Sequence, residues 1–245
     1  VGFLFFNTNT HFIFLEYPKS FFYYYDKYFF KKVKNLYFTS KERLKLISNR
    51  YIVDKDKLYL FKSFQNLPQK NRIRKKLKQN ALYLGGLHDL KKNEKKIFNS
   101  SKLKEIKISF YIKAKNKLLF NNLINNNFKN KNLKMMTYIY KPEILQLKIS
   151  NYKFGILSYP INSVNNDYCA PLKIENYLSS NLILISLFKN KALINFKKKY
   201  KNLIYFIDEI DSFSNLKLDK NYLSDKAKYF KDLNNDVQSF IERIF

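Results

Sequence analysis

Forty-seven Lys and Arg residues against 19 Asp and Glu leave this 245-residue chain at a formal +28. No other feature limits more tightly what it can fold into. Charge repulsion on that scale works against a compact state. The fold must therefore spread its cations over surfaces that a polyanion meets, and nucleic acid is the commonest polyanion. The excess is uneven. Residues 1–202 carry 41 basic and 11 acidic side chains, whereas residues 203–245 carry six and eight. The body seeks the polyanion, and the last fifth has a different task.

Codon bias sets the flavour of this charge but not its size. Lys, Asn, Ile, Phe and Tyr are all specified by A/T-rich codons, and such bias favours neutral Asn as readily as Lys. It leaves the scarcity of Asp and Glu unexplained. Hydrophobic residues make up 46% of the chain, enough for a real core. The single Cys169 excludes a disulfide framework and a cysteine-based zinc site. The longest aliphatic run, Leu182 to Phe188, is too short to span a bilayer, so no membrane span is expected. Val1 to Phe6 is apolar but lacks the cationic flank and cleavage site of a signal peptide.

Short apolar runs alternate with helical patterns. HFIFL (11–15), NLYFT (35–39), MMTYIY (135–140) and FGILSY (154–159) read as strands, and KLYLF (57–61) as a strand or a surface insertion. Thr39 or Ser40 is placed to cap a helix with Leu44, Ile47 and Tyr51 on one face. Pro142 opens the helix EILQLKIS, and a further helix is expected from about Tyr177 to Leu193. This alternation predicts a three-layer α/β domain with a mostly parallel sheet over 1–202. A Lys/Asn-rich helical insertion is expected at about 87–130. Residues 203–245 read as a C-terminal helical extension, suited to contacting another protein.

The inventory for catalysis is thin. His11 and His88 stand in separate segments without carboxylates at metal-ligand spacing, and Cys169 has no neighbouring base. Neither G-x-G-x-x-G nor a Walker-type phosphate loop occurs. No catalytic residue, metal, cofactor or small-molecule substrate is assigned, and the chain reads as a non-enzyme. The basic runs are the candidate binding residues. They are Lys70, Arg72, Arg74, Lys75, Lys76 and Lys78; Lys91, Lys92, Lys95 and Lys96 at helical spacing; and Lys197, Lys198 and Lys199, with Lys201 beside them. Clusters of this kind contact phosphates without reading sequence.

Two resemblances meet on the Gly-Gly segment. LGGLHDL (84–90) and FIDEIDSF (206–213) resemble the paired blocks of LAGLIDADG homing endonucleases, but the first block's metal-binding acid falls on Lys91 and the second's packing glycine on Tyr205. Loss of that acid removes two-metal chemistry, so this reading gives a decayed nuclease or another organelle-encoded nucleic-acid binder. The second resemblance runs through four collinear blocks. HFIFLEYPKSFFYYYDKYFFKKVKNLYFTSKE (11–42), ALYLGGLHDLKKNEKKI (81–97), MMTYIYKPEILQLKISNYKFGILSYPIN (135–162) and IENYLSSNLILISLFKNKAL (174–193) resemble segments of small-subunit ribosomal protein S-two.

The second resemblance implies a flavodoxin-like sheet with an inserted helical hairpin. It also implies a structural role in the small subunit of an organellar ribosome. The basic clusters would bind small-subunit ribosomal RNA, and apolar surfaces would meet neighbouring ribosomal proteins. The implied location is the mitochondrial matrix, with a plastid or apicoplast as the alternative.

Overall fold

A computed structural model describes residues 11–14, 34–38, 41–50, 55–60, 79–85, 101–112, 118, 121, 133–137, 142–159, 161, 164–167 and 173–244. Its strands form two sheets, every pairing parallel. The smaller sheet contains β1 (His11–Phe14), β2 (Asn35–Phe38) and β3 (Leu58–Leu60), in that order. Leu36, Tyr37 and Phe38 of the central strand are fully buried. An unbroken apolar run is what a parallel strand covered on both faces requires. Helix α1 (Lys41–Arg50) crosses from β2 to β3 and buries Arg43 and Ile47.

The larger sheet is built from β4 (Asn80–Leu84), β5 (Lys107–Ile112), β6 (Leu133–Thr137), β7 (Phe154–Leu157), β8 (Ile183–Ser186) and β9 (Ile204–Phe206). Their spatial order is β6-β5-β4-β7-β8-β9. Counted within this sheet, the order is 3-2-1-4-5-6, the doubly wound arrangement, and differs from the 2-1-3-4-5 of flavodoxin-like sheets. The direction of winding reverses between β4 and β7. Helices α2 (Pro142–Ile149), α3 (Val164–Asp167), α4 (Lys173–Ser179), α5 (Lys191–Lys199) and α6 (Lys220–Ile244) complete the described elements.

Two sequence expectations give way here. The helical insertion expected at 87–130 contains β5, a central strand of the sheet. Ile108, Phe110 and Tyr111 are buried, and so is Ser109. With both faces covered, such a strand shows no alternation by which to recognise it. The helix expected from Tyr177 to Leu193 is three elements. It stops at Ser179, Asn181 turns left-handed at φ 60, and Ile183 to Ser186 run as β8. A residue in that conformation is a common helix terminator. A four-residue apolar run alone cannot separate strand from helix.

The larger core closes with the tail. Past residue 202, β9 continues the sheet beside β8, and α6 lays Tyr222, Tyr229, Phe230 and Leu233 into the same hydrophobic cluster as β7 and β8. Helix α6 also touches β3 of the smaller sheet.

Candidate functional site

The β4–β7 ladder ends at the pair Tyr83–Ile156. Tyr177, from α4, occupies the next position. Its hydroxyl accepts from the Leu84 N–H at 2.9 Å and donates to the Ile156 carbonyl at 3.3 Å. Its ring lies over Gly155, where an added Cβ would sit 2.5 Å from the ring atoms. Burial pushes the Tyr177 phenol well above its ordinary range, opposed by the Leu84 N–H. The side chain thus wedges the two strands apart at their carboxyl ends. In doubly wound sheets the point of reversal is where ligands bind, because the flanking crossovers leave for opposite faces.

Four residues rim this crevice. Gly85 follows β4, and Ser158 and Tyr159 follow β7. Lys173 begins α4, with its ammonium 5.0 Å from the Tyr83 ring centroid and 5.1 Å from that of Tyr159. Both distances are within cation–π range. Ser158 is 1% exposed, and its hydroxyl has no hydrogen-bond partner among the described residues. An unmet buried hydroxyl costs about 1–3 kcal/mol, and this one stands directly after β7 at the carboxyl end of the sheet.

The segment between β7 and α4 is tied down from α5. Asn190 caps α5 by accepting from the Leu193 N–H at 2.7 Å, and its amide donates to the Asn166 carbonyl at 2.9 Å. Asp167 accepts from the Lys191 N–H at 3.1 Å and pairs with the Lys191 ammonium at 3.3 Å. Further along, in α4, the buried Glu175 accepts from the Tyr229 hydroxyl of α6 at 2.9 Å. Beside this network lies a cavity of about 370 Å³ between α1 and α5. Glu42, Lys45 and Asn49 line one side, Lys191 and Asn195 the other. The Asn195 amide crosses it to donate to Glu42 at 2.9 Å.

Of the basic clusters, the one at Lys197 to Lys199 falls among the described residues. Lys197, Lys198 and Lys199 form the last turn of α5. Lys197 pairs with Glu209 and lies over the rings of Tyr205 and Phe206, and Lys199 pairs with Asp232 at 2.7 Å. Lys198 is exposed. Two of these three cations therefore serve internal contacts, because the acidic tail folds back on α5. The clusters Lys70–Lys78 and Lys91–Lys96 lie outside the described residues, as do His88, Cys169 and Gly86. No group of three or more metal-ligating side chains occurs among the described residues. Tyr205 lies in strand β9, not in the helix that the nuclease reading requires.

A doubly wound parallel sheet of this order defines an α/β class whose members bind ligands at the reversal point. No family model matches the sequence, and no curated protein matches it either. Solved structures do. TarM superposes with a TM-score of 0.55 at 14% identity, over 94% of this chain and 44% of its own. The apo trehalose-6-phosphate synthase OtsA gives 0.62 at 12%, over 96% and 67%. The UDP-forming α,α-trehalose-phosphate synthase of Burkholderia vietnamiensis gives 0.59 at 9%, over 96% and 69%. A further neighbour, a trehalose-6-phosphate synthase, is described in terms of enzymatic glycosyltransfer with retention, and the likeness throughout is one of fold. This chain spans less than half the length of TarM.

The comparison overturns the ribosomal reading. The matching folds are not ribosomal protein S-two. With that resemblance go the structural role in a ribosome, the non-enzyme assignment, the rRNA and ribosomal-protein partners, and the exclusion of a small-molecule substrate. The decayed nuclease is not supported either. The physical reason lies in what the four blocks contain. A strand–helix–strand opening and an apolar closing segment are common to parallel α/β topology generally. Their collinearity reported the topology, not the family.

Proposed function

We propose that this chain is the sugar-nucleotide-binding part of a glycosyltransferase. It would hold a nucleotide-activated sugar in the crevice between β4 and β7 and transfer the sugar to an acceptor hydroxyl. One observation carries the reading: the Tyr177 wedge opens the sheet at its reversal point, with the Lys173 ammonium and the unmet Ser158 hydroxyl on the rim. Lys173 offers positive charge to a diphosphate, and Ser158 a hydrogen bond that no described protein group already takes. The acceptor hydroxyl attacks the anomeric carbon as the nucleoside diphosphate leaves. The cavity between α1 and α5 offers polar side chains to that acceptor.

The structural neighbours support the donor class. One was solved with UDP-2-fluoro glucose bound and another is described as UDP-forming. Calorimetric titration of the protein with UDP-glucose, ADP-glucose and GDP-glucose tests the reading. Binding of one of them is expected, weakened about tenfold or more in Lys173→Gln. Failure of all three to bind would sink it.

A further inference from the structure

A single donor diphosphate leaves most of the +28 charge unaccounted for, and two groups of the described lysines differ in their partners. Lys189, Lys191, Lys197 and Lys199 pair with Asp167, Asp208, Glu209 and Asp232, all on the β8–β9 side of the larger sheet. Lys107, Lys148, Lys153 and Lys217 make no ion pair among the described residues. These four gather at the N-terminal ends of the central strands. Lys107 starts β5 opposite Asn80, and its N–H donates to the Gln79 carbonyl. The Lys153 N–H donates to the Asn80 side chain at 3.2 Å, and the Asn80 amide to the Asn151 carbonyl at 3.2 Å. Burial first, and then the neighbouring Lys217, lower the Lys153 ammonium below its ordinary range. Glu105 and Asp219 flank the rim in sequence.

Helix α2 ends on this rim. It buries Leu145 and Ile149, yet its other side leaves Ile144 42% and Leu147 66% exposed, one turn apart. Leu147 and Lys148 share the last turn. A helix apolar on both faces is normally covered on both. Aliphatic side chains beside unpaired lysines suit the headgroup–acyl boundary of a bilayer. They offer nucleic acid little, since bases stack on planar rings. Among the described residues no helix is long and apolar enough to cross a membrane, so such contact is peripheral.

We propose that Lys107, Lys148, Lys153 and Lys217, with Leu147 and Ile144, form a surface that docks on anionic lipid. The surface lies at the N-terminal edge of the sheet and the crevice at its C-terminal edge, so a docked molecule keeps its site open. The proposal stands independently of the sugar-transfer reading.

Co-sedimentation of the full chain with vesicles of phosphatidylcholine, with and without phosphatidylglycerol, tests it. Binding is expected only with the anionic lipid and is weakened by salt. Leu147→Asp, and separately the pair Lys148→Gln with Lys217→Gln, should each weaken it about tenfold. Removing the same charge elsewhere, with Lys198→Gln and Lys231→Gln, should leave it unchanged. Circular dichroism melts of each variant establish that it is folded. Equal binding to pure phosphatidylcholine, absence of vesicle binding, or binding that survives the rim variants would overturn the proposal. So would transfer of the protein from vesicles to a structured RNA with Leu147→Asp having no effect.

Discussion

Gly155 of β7 and Tyr177 of α4 are mutually dependent: the strand lacks a side chain where the ring of the helix must lie, and a Cβ there would come within 2.5 Å of it. The ring's position sends its hydroxyl into the β4–β7 ladder. Gly155→Ala should therefore destabilise the protein by about 1–3 kcal/mol through overpacking and weaken donor binding with it. Chemical denaturation measures the first effect and calorimetric titration the second.

Tyr177→Phe separates the two roles of that residue. The ring still fills the space over Gly155, but Leu84 N–H and Ile156 carbonyl lose their partner. A stability loss of about 1–3 kcal/mol is expected from the unmet buried groups. A variant as stable as the parent would show that water replaces the hydroxyl.

Asn190→Ala removes the cap of α5 and the hydrogen bond that holds Asn166. The cap alone is worth about 1 kcal/mol. The freed α3 segment should raise the apparent Kd for the donor beyond what the stability change explains, which thermal melts with and without ligand separate.

Alkaline pH should unfold the protein in a defined window. Burial raises the phenols of Tyr177, Tyr222 and Tyr229, and burial together with the Asp232 hydrogen bond raises Tyr200. Each folded value lies above the unfolded one of about 10. Their contribution is complete below pH about 10 and is lost as pH climbs from there toward the folded values. Tm measured across that range should fall, and less steeply in Tyr222→Phe.

Lys226 has the opposite sign. Burial lowers its ammonium to about 8, and it donates to Asn181. Between pH about 8 and 10.5 the unfolded chain holds a proton that the folded one has released, so this group adds stability as pH rises. Lys226→Met should gain Tm over the parent at neutral pH and lose that advantage by pH about 10.

The parallel α/β architecture was legible in the alternation of runs such as NLYFT and FGILSY with helical segments, because each strand is short and walled by turns. Strands β5 and β8 were not, since burial on both faces erases the period of two that betrays a strand. At the site, the one available signal was Gly155 within an apolar strand, a mark of close approach by another group. Tyr177 stands in the sequence only as the start of an expected helix, and Lys173 and Ser158 are isolated there. Runs of lysine are the louder signal, but folding pairs Lys197 and Lys199 with Glu209 and Asp232 of the tail, acids that stand well downstream of the run itself. Ion pairing across such separations cannot be read from composition.

Helix α6 sets the schedule on which this protein becomes a protein. It is synthesised after every strand it covers, yet Tyr222, Tyr229 and Leu233 complete the core of the larger sheet while the same helix touches β3 of the smaller one. The core of the larger sheet is complete only once α6 is in place. Strands β7 and β8 thus precede in the chain the helix that supplies part of their cover.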